Sequence, residues 1–497
     1  MANKYTIGLD VGTSGSKAVL YDLDGNPRYS FYTDYSLIAT SIGMAELDAI
    51  DVWGKIQALI RQLTDNVPAS DITAICVSSL GEALVPVTRD RKIIGNSILN
   101  IDTRGQEYIQ VINREINSEL FCQIAGDQLS NVYSITKLMW IKNHAPDVYQ
   151  KAFKFLPWNG LVPFLLGGED CVDYSQASRT LMFDQTNNTW SELILATAGI
   201  DASKLPAVYQ TGAIVGTVNS QMSKSLGLST RTKIVLGPHD QVANAVGCGI
   251  SKRGQAMISM GSFFCVVPLF VPRPPADQIC RHRINTEPYV LKDSYVSVIY
   301  NQGGLLFKWY RDTFDLFADQ IMSRLDRYDL LEKEVPIEPS EILVLPSFSP
   351  IGSPHHIQKP NGVITGLSLT SRRGDILKGI FQGVVFYLFD RIRKLSELGV
   401  NTNYYYAVGG GSKSDVWVQI ISDVFGAEVH RPDVIESATL GDSIIAWVAS
   451  NEYSSYDEAI HKIVKIERKF IPNKKNLQIY GELFLKYLDL WNKTFPG

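Results

Sequence analysis

The sequence lacks the features of proteins that bind nucleic acid or cross membranes. Lys and Arg number 47 against 51 for Asp and Glu, so the net charge of −4 offers no basic surface to a polyanion. No apolar run approaches the roughly 20 residues that a bilayer requires. The first strand-like segment starts at Tyr5 without a signal peptide before it. We therefore expect a cytoplasmic protein with no nucleic-acid or membrane partner.

Signatures of zinc sites and disulfide frameworks are also missing. The six cysteines are scattered without a C-x-x-C pair, which is typical of buried, reduced thiols rather than metal ligands or disulfides. The seven histidines form no H-x-x-x-H or H-E-x-x-H pattern. His355 and His356 are adjacent in a proline-flanked stretch, a context that favours a polar loop over a metal site.

Two common nucleotide motifs are absent as well. No G-x-x-x-x-G-K-[ST] occurs, and no G-x-G-x-x-G follows a predicted strand. These absences disfavour both the P-loop and the dinucleotide-binding fold.

The sequence does contain two halves of similar organisation. Its 497 residues, of which 45% are hydrophobic and 20% charged, predict a globular chain of two or three domains. Each half opens with a strand, a glycine turn and a second strand, and then continues into β-α units. We predict an α/β fold with an N-terminal domain over 1–246 and a C-terminal domain over 247–497. Predicted elements include helices over 51–63, 375–398 and 414–425 and strands over 72–77, 233–237 and 404–408.

A glycine turn joins the first two predicted strands. Asp10-Val-Gly12-Thr13-Ser14-Gly15 could present backbone N–H groups of residues 12–14 to phosphate oxygens. Asp10 at the end of the first strand could hold Mg²⁺, and Lys17 adds a nearby positive charge or points to solvent. One such turn is more often a plain β-hairpin.

Two further turns combine glycine with hydroxyl side chains. Ser259-Met-Gly261-Ser262 lies between two predicted strands, and Gly409 to Ser414 lies between a strand and a helix. Three such turns in two halves are what a nucleotide bound by two domains requires. The alternative for the last turn is a close strand–helix connection with Ser412 or Ser414 as helix cap.

Several ordered segments together resemble one protein family. They lie at residues 7–17, 98–104 (with Asn100 where Trp is usual), 136–140, 173–178, 410–423, 436 and 440–441. In the residues and the order of these segments, the chain resembles the FGGY carbohydrate kinases of the actin/hexokinase/Hsp70 ATPase superfamily. The resemblance implies two actin-like (RNase H-like) domains flanking a hinged catalytic cleft, with ATP and Mg²⁺ as cofactors.

The resemblance also implies roles for individual residues. Asp240 corresponds to the catalytic base, although a residue that opens a helix could instead be its N-cap. His239 is the other candidate base and more simply shapes the pocket. The implied substrate-binding residues are Gly81, Glu82, Asp240 and Gln241. Asp10 is the implied metal ligand, and the implied nucleotide-binding residues are Asp10, Gly12, Thr13, Ser14, Lys17, Gly261, Ser262, Gly304, Gly410, Gly411, Ser412 and Asp415.

The acceptor is less closely specified by the resemblance. Glu82 and Asp240-Gln241 resemble glycerol kinases, but Gly81 replaces the arginine that completes their site. The methionine–histidine pair of xylulose kinases is absent too, so we expect room for a larger ketose or polyol. Segment 346–354 lacks the usual charged pair. The predicted activity is a xylulokinase-like, ATP-dependent sugar kinase acting on a small sugar or polyol. The alternatives are a glycerol or polyol kinase and a non-catalytic sugar/ATP-binding sensor, and a homodimer stays open.

Overall fold

The computed structural model describes residues 4–39, 41–314, 324–349, 361–434 and 436–495. The chain divides into two compact units. Unit 1 contains Met1–Ser251, Phe270–Val296 and Glu436–Val464, and unit 2 contains Lys252–Leu269, Ser297–Ile435 and Lys465–Gly497. The division at residues 246 and 247 stays a prediction.

The described chain contains both strands and helices. The strands are β1 Tyr5–Val11, β2 Gly15–Asp22, β3 Pro27–Asp34, β4 Glu46–Leu47, β5 Ile72–Ser79, β6 Leu84–Val87, β7 Ser97–Ile98, β8 Lys154–Pro157, β9 Cys171–Asp173, β10 Phe183–Asp184, β11 Thr189–Trp190, β12 Ala207–Tyr209, β13 Ile214–Thr217, β14 Lys233–His239, β15 Gln255–Met260, β16 Phe263–Phe270, β17 Glu287–Pro288, β18 Tyr295–Val296, β19 Ile299–Gln302, β20 Leu343–Leu345, β21 Val363–Thr365, β22 Tyr404–Val408, β23 Glu428–Pro432 and β24 Ile466–Phe470. The helices are α1 Ala49–Thr64, α2 Tyr108–Glu115, α3 Ser118–Ala125, α4 Ser134–His144, α5 Pro146–Lys151, α6 Trp158–Leu166, α7 Tyr174–Ser178, α8 Glu192–Ala198, α9 Ser220–Leu226, α10 Asp240–Cys248, α11 Ala276–Arg281, α12 Gly304–Phe314, α13 Arg324–Lys333, α14 Arg373–Glu397, α15 Asp415–Phe425, α16 Ser437–Ala449, α17 Tyr456–Ile463 and α18 Lys474–Thr494.

Unit 1 is built on a six-stranded sheet in the order β13-β14-β5-β1-β2-β3. β1 runs parallel to β5, and β5 runs parallel to β14, whereas β1, β2 and β3 form an antiparallel meander. Asp10 pairs in register with Ser78, and Ser79 pairs with His239. The carboxyl ends of three parallel strands therefore meet at one edge of the sheet, which is where α/β folds commonly bind ligands.

The first strand is buried on both faces. Ile7 and Leu9 pack into the same core as Val52 and Ile56 of α1. On the opposite face the Thr6 hydroxyl lies 2.7 Å from the Ser443 hydroxyl of α16. Side chains on both faces of this strand are therefore buried, because a central strand in a sheet covered by helices has no solvent-facing side.

Helices α10 and α16 touch through glycines. A Cβ on Gly441 would lie 2.0 Å from the Ala243 carbonyl oxygen, and one on Gly247 would lie 1.8 Å from that of Ser437. No side chain fits such a backbone contact, so these glycines allow the helices to approach.

We predict that Gly441→Ala lowers the free energy of unfolding by about 3 kcal/mol, the upper range for overpacked sites. Urea denaturation followed by circular dichroism measures this effect. Gly481→Ala in α18 is the matched control, because its new Cβ meets nothing within 4 Å. The control should be stabilised slightly, by roughly 0.5–1 kcal/mol. A Gly441→Ala protein as stable as the control would contradict the packing argument.

Unit 2 contains a second mixed sheet in which β16, β15, β22, β23 and β24 are neighbours in that order, with β19 pairing with β16. β15, β22 and β23 are parallel. Trp417 of α15 stacks on Phe381 of α14 with ring centroids 4.0 Å apart. The long helix α14 starts at Arg373, two residues before the predicted start at Asp375, whose carboxylate accepts from the Arg372 N–H at 2.8 Å.

Two cysteines differ from the expectation of reduced thiols. Cys122 of α3 and Cys280 of α11 form a disulfide, with Cα atoms 5.8 Å apart and a sequence separation of 158. Folding brings these cysteines together, so no local spacing pattern marks the pair. The histidine pair at 355–356 and residues 350–354 lie outside the described residues.

The described helices include none that is long and apolar enough to cross a membrane. Among those residues there is also no group of three or more His, Cys, Asp or Glu side chains that could hold a metal ion.

Candidate active site

The predicted acceptor residues of unit 1 lie at the carboxyl edge of its parallel strands. Asp10 belongs to the end of β1, Gly81 and Glu82 follow β5, and Asp240 follows β14 as the first residue of α10. The parallel topology thus brings together residues that are far apart in sequence. Of the predicted nucleotide residues of unit 1, Gly12, Thr13 and Ser14 lie in the turn between β1 and β2, and Lys17 belongs to β2.

The glycine turn after β1 is a closed hairpin. The Gly12 N–H donates to the Gly15 carbonyl at 3.0 Å, so the expectation that it faces outward as a phosphate donor is wrong. Thr13 and Ser14 at the tip are exposed. Lys17 forms an ion pair with Glu436 instead of pointing freely to solvent. Thr13 and Ser14 therefore remain the accessible part of the predicted phosphate site.

Asp10 lies near two other carboxylates. Burial, together with the carboxylates of Asp240 and Glu436, raises the pKa of Asp10 to about 8. Its Oδ1 atom is buried and has no hydrogen-bond partner. A divalent cation would relieve this charge, and one carboxylate with water and phosphate oxygens is a common way to bind Mg²⁺. The site therefore fits the predicted metal.

Asp240 does not cap its helix. The N-cap of α10 is His239, and no side chain makes a capping bond there. The Asp240 Oδ1 atom instead accepts from Gln241 Nε2 at 3.1 Å and lies 3.2 Å from His239 Nε2. The capping alternative is therefore wrong, and the carboxylate is available for chemistry. The amide oxygen of Gln241 is buried without a partner.

His239 has two acidic partners. Its Nδ1 lies 2.9 Å from Glu287 Oε1, and its Nε2 lies 3.2 Å from Asp240 Oδ1. Burial lowers the pKa of His239, but the carboxylates of Glu287 and Asp240 outweigh burial and raise the pKa to about 9. The imidazole is therefore protonated at neutral pH.

Glu82 is held in a strained conformation and in an ion pair. Its φ of 68° lies in the left-handed region, which is costly for a residue with a side chain. Its Oε1 accepts from Arg179 Nε at 2.7 Å, and Asn100 Nδ2 lies 3.4 Å from its Oε2. Ser134 donates to the Glu82 carbonyl at 2.5 Å. Backbone strain that the surroundings maintain in this way is typical of functional sites.

The space beside Gly81 is filled, contrary to the expectation of extra room. A Cβ on Gly81 would lie 3.2 Å from Arg179 Nε and 3.3 Å from His239 Nε2. Arg179 thus supplies from α7 a guanidinium next to the position where glycerol kinases carry their arginine. The missing side chain at Gly81 allows this approach from a different element.

Helix α7 holds both sides of the site. Gln176 Nε2 donates to the carbonyls of Ser79 and Leu80, each at 2.9 Å. The Ser175 hydroxyl accepts from the His239 N–H at 2.9 Å. One short helix therefore fixes the end of β5 and the end of β14 together.

Arg179 and Glu287 are the site residues that the sequence did not reveal. Arg179 is the first residue after the family-like segment 173–178, which is a weak signal. Glu287 lies in a segment without a recognised motif, and nothing in the sequence marks it. Both are buried charges whose meaning depends on partners distant in sequence: Glu287 Oε2 lies 4.0 Å from Arg179 Nη1.

The predicted nucleotide turns of unit 2 come together. The Gly304 N–H donates to the Gly261 carbonyl at 3.1 Å, and the Gly303 N–H donates to the Ser262 carbonyl at 3.2 Å. A Cβ on Gly411 would lie 3.0 Å from the Met260 carbonyl oxygen. The turn after β15, the start of α12 and the turn after β22 therefore share one location in unit 2.

The turn after β22 combines an open glycine with a charged frame. Gly410 is exposed, and a Cβ there would meet nothing within 4 Å. Ser412 donates to the Gly409 carbonyl at 2.7 Å, and Ser414 caps α15, which confirms the cap alternative for Ser414. Asp415 pairs with Arg431 at 2.9 Å and with Arg468, at the edge of a cavity of about 550 Å³.

Comparison with known proteins matches most of the chain. Residues 5–247 match the N-terminal domain of the FGGY family of carbohydrate kinases, and residues 292–450 match the C-terminal domain of that family. The chain is similar to the xylulose kinase of Bacillus subtilis, with 26% identity over 99% of this chain and 97% of the relative. It is 28% identical to an autoinducer-2 kinase of Yersinia enterocolitica over 96% of this chain and 92% of that one.

A solved structure has the same fold. Ligand-bound xylulose kinase from Lactobacillus acidophilus superimposes with a TM-score of 0.89 and 25% identity over 99% of this chain and 98% of that chain. The predicted α/β fold with two actin-like domains is confirmed by this similarity.

Proposed function

The chain belongs to the FGGY family of carbohydrate kinases, and on that premise we propose that it transfers the γ-phosphate of Mg-ATP to a hydroxyl of a small, uncharged ketose or polyol. Phosphotransfer to an alcohol is the activity of the family. The single observation that supports the site assignment is the meeting of Asp240, Glu82 and Asp10 at one edge of the unit 1 sheet.

In the proposed reaction Asp240 is the general base. Its carboxylate accepts the proton of the acceptor hydroxyl as the new O–P bond forms and the bond from the γ-phosphorus to the bridging oxygen breaks, releasing ADP. Gln241 and Glu82 bind acceptor hydroxyls, and the buried amide oxygen of Gln241 is an unused acceptor for one of them. We assign Thr13 and Ser14 of unit 1 to the phosphates. We also assign the glycine turns of unit 2 to nucleotide binding.

Asp10 is the residue that we assign to the metal ion, which supplies charge neutralisation to the phosphates when it is bound. The fit rests on its partnerless Oδ1 and on the carboxylates that surround it.

We predict that Asp10→Asn raises the Mg²⁺ concentration for half-maximal ADP release by about tenfold or more, since a charged ligand contributes roughly 1.5–3 kcal/mol. Mn²⁺ binding in the presence of ATP, followed by electron paramagnetic resonance, gives a readout that does not need turnover. Asp22→Asn in the neighbouring strand is the control and should leave both curves unchanged. Identical Mn²⁺ binding in Asp10→Asn and wild type would remove Asp10 from the metal site.

The charges of the site favour an uncharged acceptor. Arg179 already faces the carboxylates of Glu82 and Glu287, and His239 faces Glu287 and Asp240. No cation among these residues is left for a substrate carboxylate. An aldonate would therefore place a further negative charge beside acidic groups, which costs several kcal/mol.

The test is ADP release from Mg-ATP against a panel of acceptors. The panel contains ketopentoses including xylulose, ketohexoses, 6-deoxy ketoses, autoinducer-2, glycerol, tetritols and aldonates. We expect one uncharged ketose or polyol to exceed the others by orders of magnitude in kcat/KM. Preference for glycerol would support the polyol alternative, and preference for an aldonate would refute the charge argument. ATP binding without turnover on every compound would support the sensor instead.

Its use of ATP and small metabolites supports a cytoplasmic location. A homodimer stays a prediction that sedimentation velocity can test.

A further inference from the structure

A row of alternating charges runs through the acceptor site. Its members, in order of contact, are Glu82, Arg179, Glu287, His239 and Asp240. Glu287 and His239 are 2% and 6% exposed, so neither charge is stabilised by bulk water. Buried charges persist when each has a partner, and the oppositely charged neighbours of Glu287 and His239 belong to this row.

We propose that His239 is a positioning residue that holds Asp240 in its working orientation, and that Glu287 holds His239 in turn. This proposal rests on the proposed function, since Asp240 is a base only if the protein is a kinase.

Two carboxylates on the two ring nitrogens determine the state of the imidazole. His239 Nδ1 is hydrogen-bonded to Glu287 Oε1 at 2.9 Å, and Nε2 lies 3.2 Å from Asp240 Oδ1 in an ion-pair contact. An ionised carboxylate has no proton to donate, so a neutral imidazole with its proton on Nδ1 would turn an unprotonated nitrogen toward Asp240. The pair of contacts is therefore most favourable with a cationic His239.

The ring has little freedom to leave this arrangement. The Ser175 hydroxyl accepts from the His239 N–H at 2.9 Å and fixes the backbone at the end of β14. The Glu287 Oε2 atom makes no hydrogen bond and lies 4.0 Å from Arg179 Nη1. Glu287 is therefore held between two cations and presents Oε1 to the imidazole.

Asp240 needs such support because its side chain is not tied to its own helix. It makes no capping bond, and its side chain is 25% exposed. Gln241 donates to Oδ1, and the ion-pair contact of His239 is also with Oδ1, so Oδ2 is the oxygen that we assign to the acceptor proton. Holding Oδ1 of Asp240 in place also fixes the position of Oδ2. This matters because a displacement of about 1 Å in a reacting group can lower the rate 100-fold.

The first test compares kcat and KM for His239→Gln with the wild type on the preferred acceptor. We expect kcat to fall by roughly 10- to 100-fold, while KM for acceptor and ATP changes little, because orientation and not binding is lost. Glu287→Gln should show the same pattern more weakly. The double variant should be no worse than His239→Gln alone, since both residues act through one contact.

The chain offers matched controls in unit 2. His430 Nε2 lies 3.1 Å from Glu428 Oε2, a histidine–glutamate pair remote in sequence from the acceptor residues. His430→Gln and Glu428→Gln should leave kcat unchanged. If His239→Gln behaves like His430→Gln in kcat, the positioning role is wrong even though the kinase is active.

The pH profile is the readout that a merely structural role would not move. His239 faces Glu287, Asp240, Arg179 and Asp10, and its pKa is raised to about 9. Protonated His239 prevails below that pH, so wild-type kcat should fall as pH rises through about 9. His239→Gln should lack this alkaline limb, and Glu287→Gln should shift it to lower pH.

A measurement that does not depend on turnover tests the positioning role of His239 separately from the proposed kinase function. In ¹⁵N-histidine spectra, the imidazole signal that disappears in His239→Gln should titrate near 9 in wild type and lower in Glu287→Gln. Titration near the ordinary value of about 6.5 would overturn this proposal. A wild type that phosphorylates nothing in the panel would instead refute the proposed function and, with it, the positioning role.

Discussion

Asp240→Asn should abolish phosphoryl transfer while leaving the protein folded and able to bind ATP. The amide keeps the size of the carboxylate and its contacts with Gln241. It cannot, however, take up the proton of the substrate hydroxyl. General-base catalysis contributes roughly 10²- to 10⁴-fold, so kcat should fall by that factor. ADP release measures kcat, calorimetry measures ATP binding, and circular dichroism monitors the fold.

The control for this variant is Asp51→Asn, which also replaces an aspartate in the first turn of a helix, α1. It should retain wild-type turnover, because Asp51 is paired with Lys55 on the surface. A folded Asp240→Asn enzyme with near wild-type kcat would show that the base is assigned to the wrong residue.

Glu82→Ala should raise the acceptor KM strongly and leave the ATP KM nearly unchanged. A hydrogen bond to a charged group is worth roughly 1.5–3 kcal/mol, which corresponds to about a 10- to 150-fold increase in KM. The loss also removes the ion pair between Glu82 and Arg179. Initial-rate kinetics with each substrate varied in turn measure both constants.

Backbone strain at Glu82 allows a sharper version of this test. Alanine keeps the strained φ of 68°, whereas Glu82→Gly adopts that angle without cost. If the carboxylate binds the acceptor, both variants should show the same increase in KM, and the glycine variant should be the more stable. Glu46→Ala breaks another glutamate–arginine pair, with Arg104, and should not change the acceptor KM. Equal increases in acceptor and ATP KM would remove Glu82 from the acceptor site.

These two predictions concern opposite ends of one charged row. Glu82, which we assign to acceptor binding, and Asp240, which we propose as the base, are joined through Arg179, Glu287 and His239. Double variants of Glu82 and Asp240 therefore share partners, and their effects on stability should not be additive.

Much of the fold followed from local sequence. The strand predicted over 404–408 matches β22, and the helix predicted over 414–425 matches α15 to within one residue. The helix predicted over 51–63 matches α1 to within two residues. These elements are marked by periodic apolar residues and by caps or glycines at their ends, signals that act over a few residues.

The sequence alone determined the family, the two-domain α/β class and the candidate residues that belong to ordered motifs, such as Asp10, Glu82 and Asp240. Tertiary structure decided what surrounds them. Only folding showed that the Gly12 N–H closes its own turn and that Arg179 and His239 occupy the space beside Gly81. Folding also showed that Glu287 forms an ion pair with His239. The reason is physical: a motif records short-range backbone and side-chain requirements along the chain. The charge state and orientation of a buried group are instead set by partners that parallel strands bring together from distant segments.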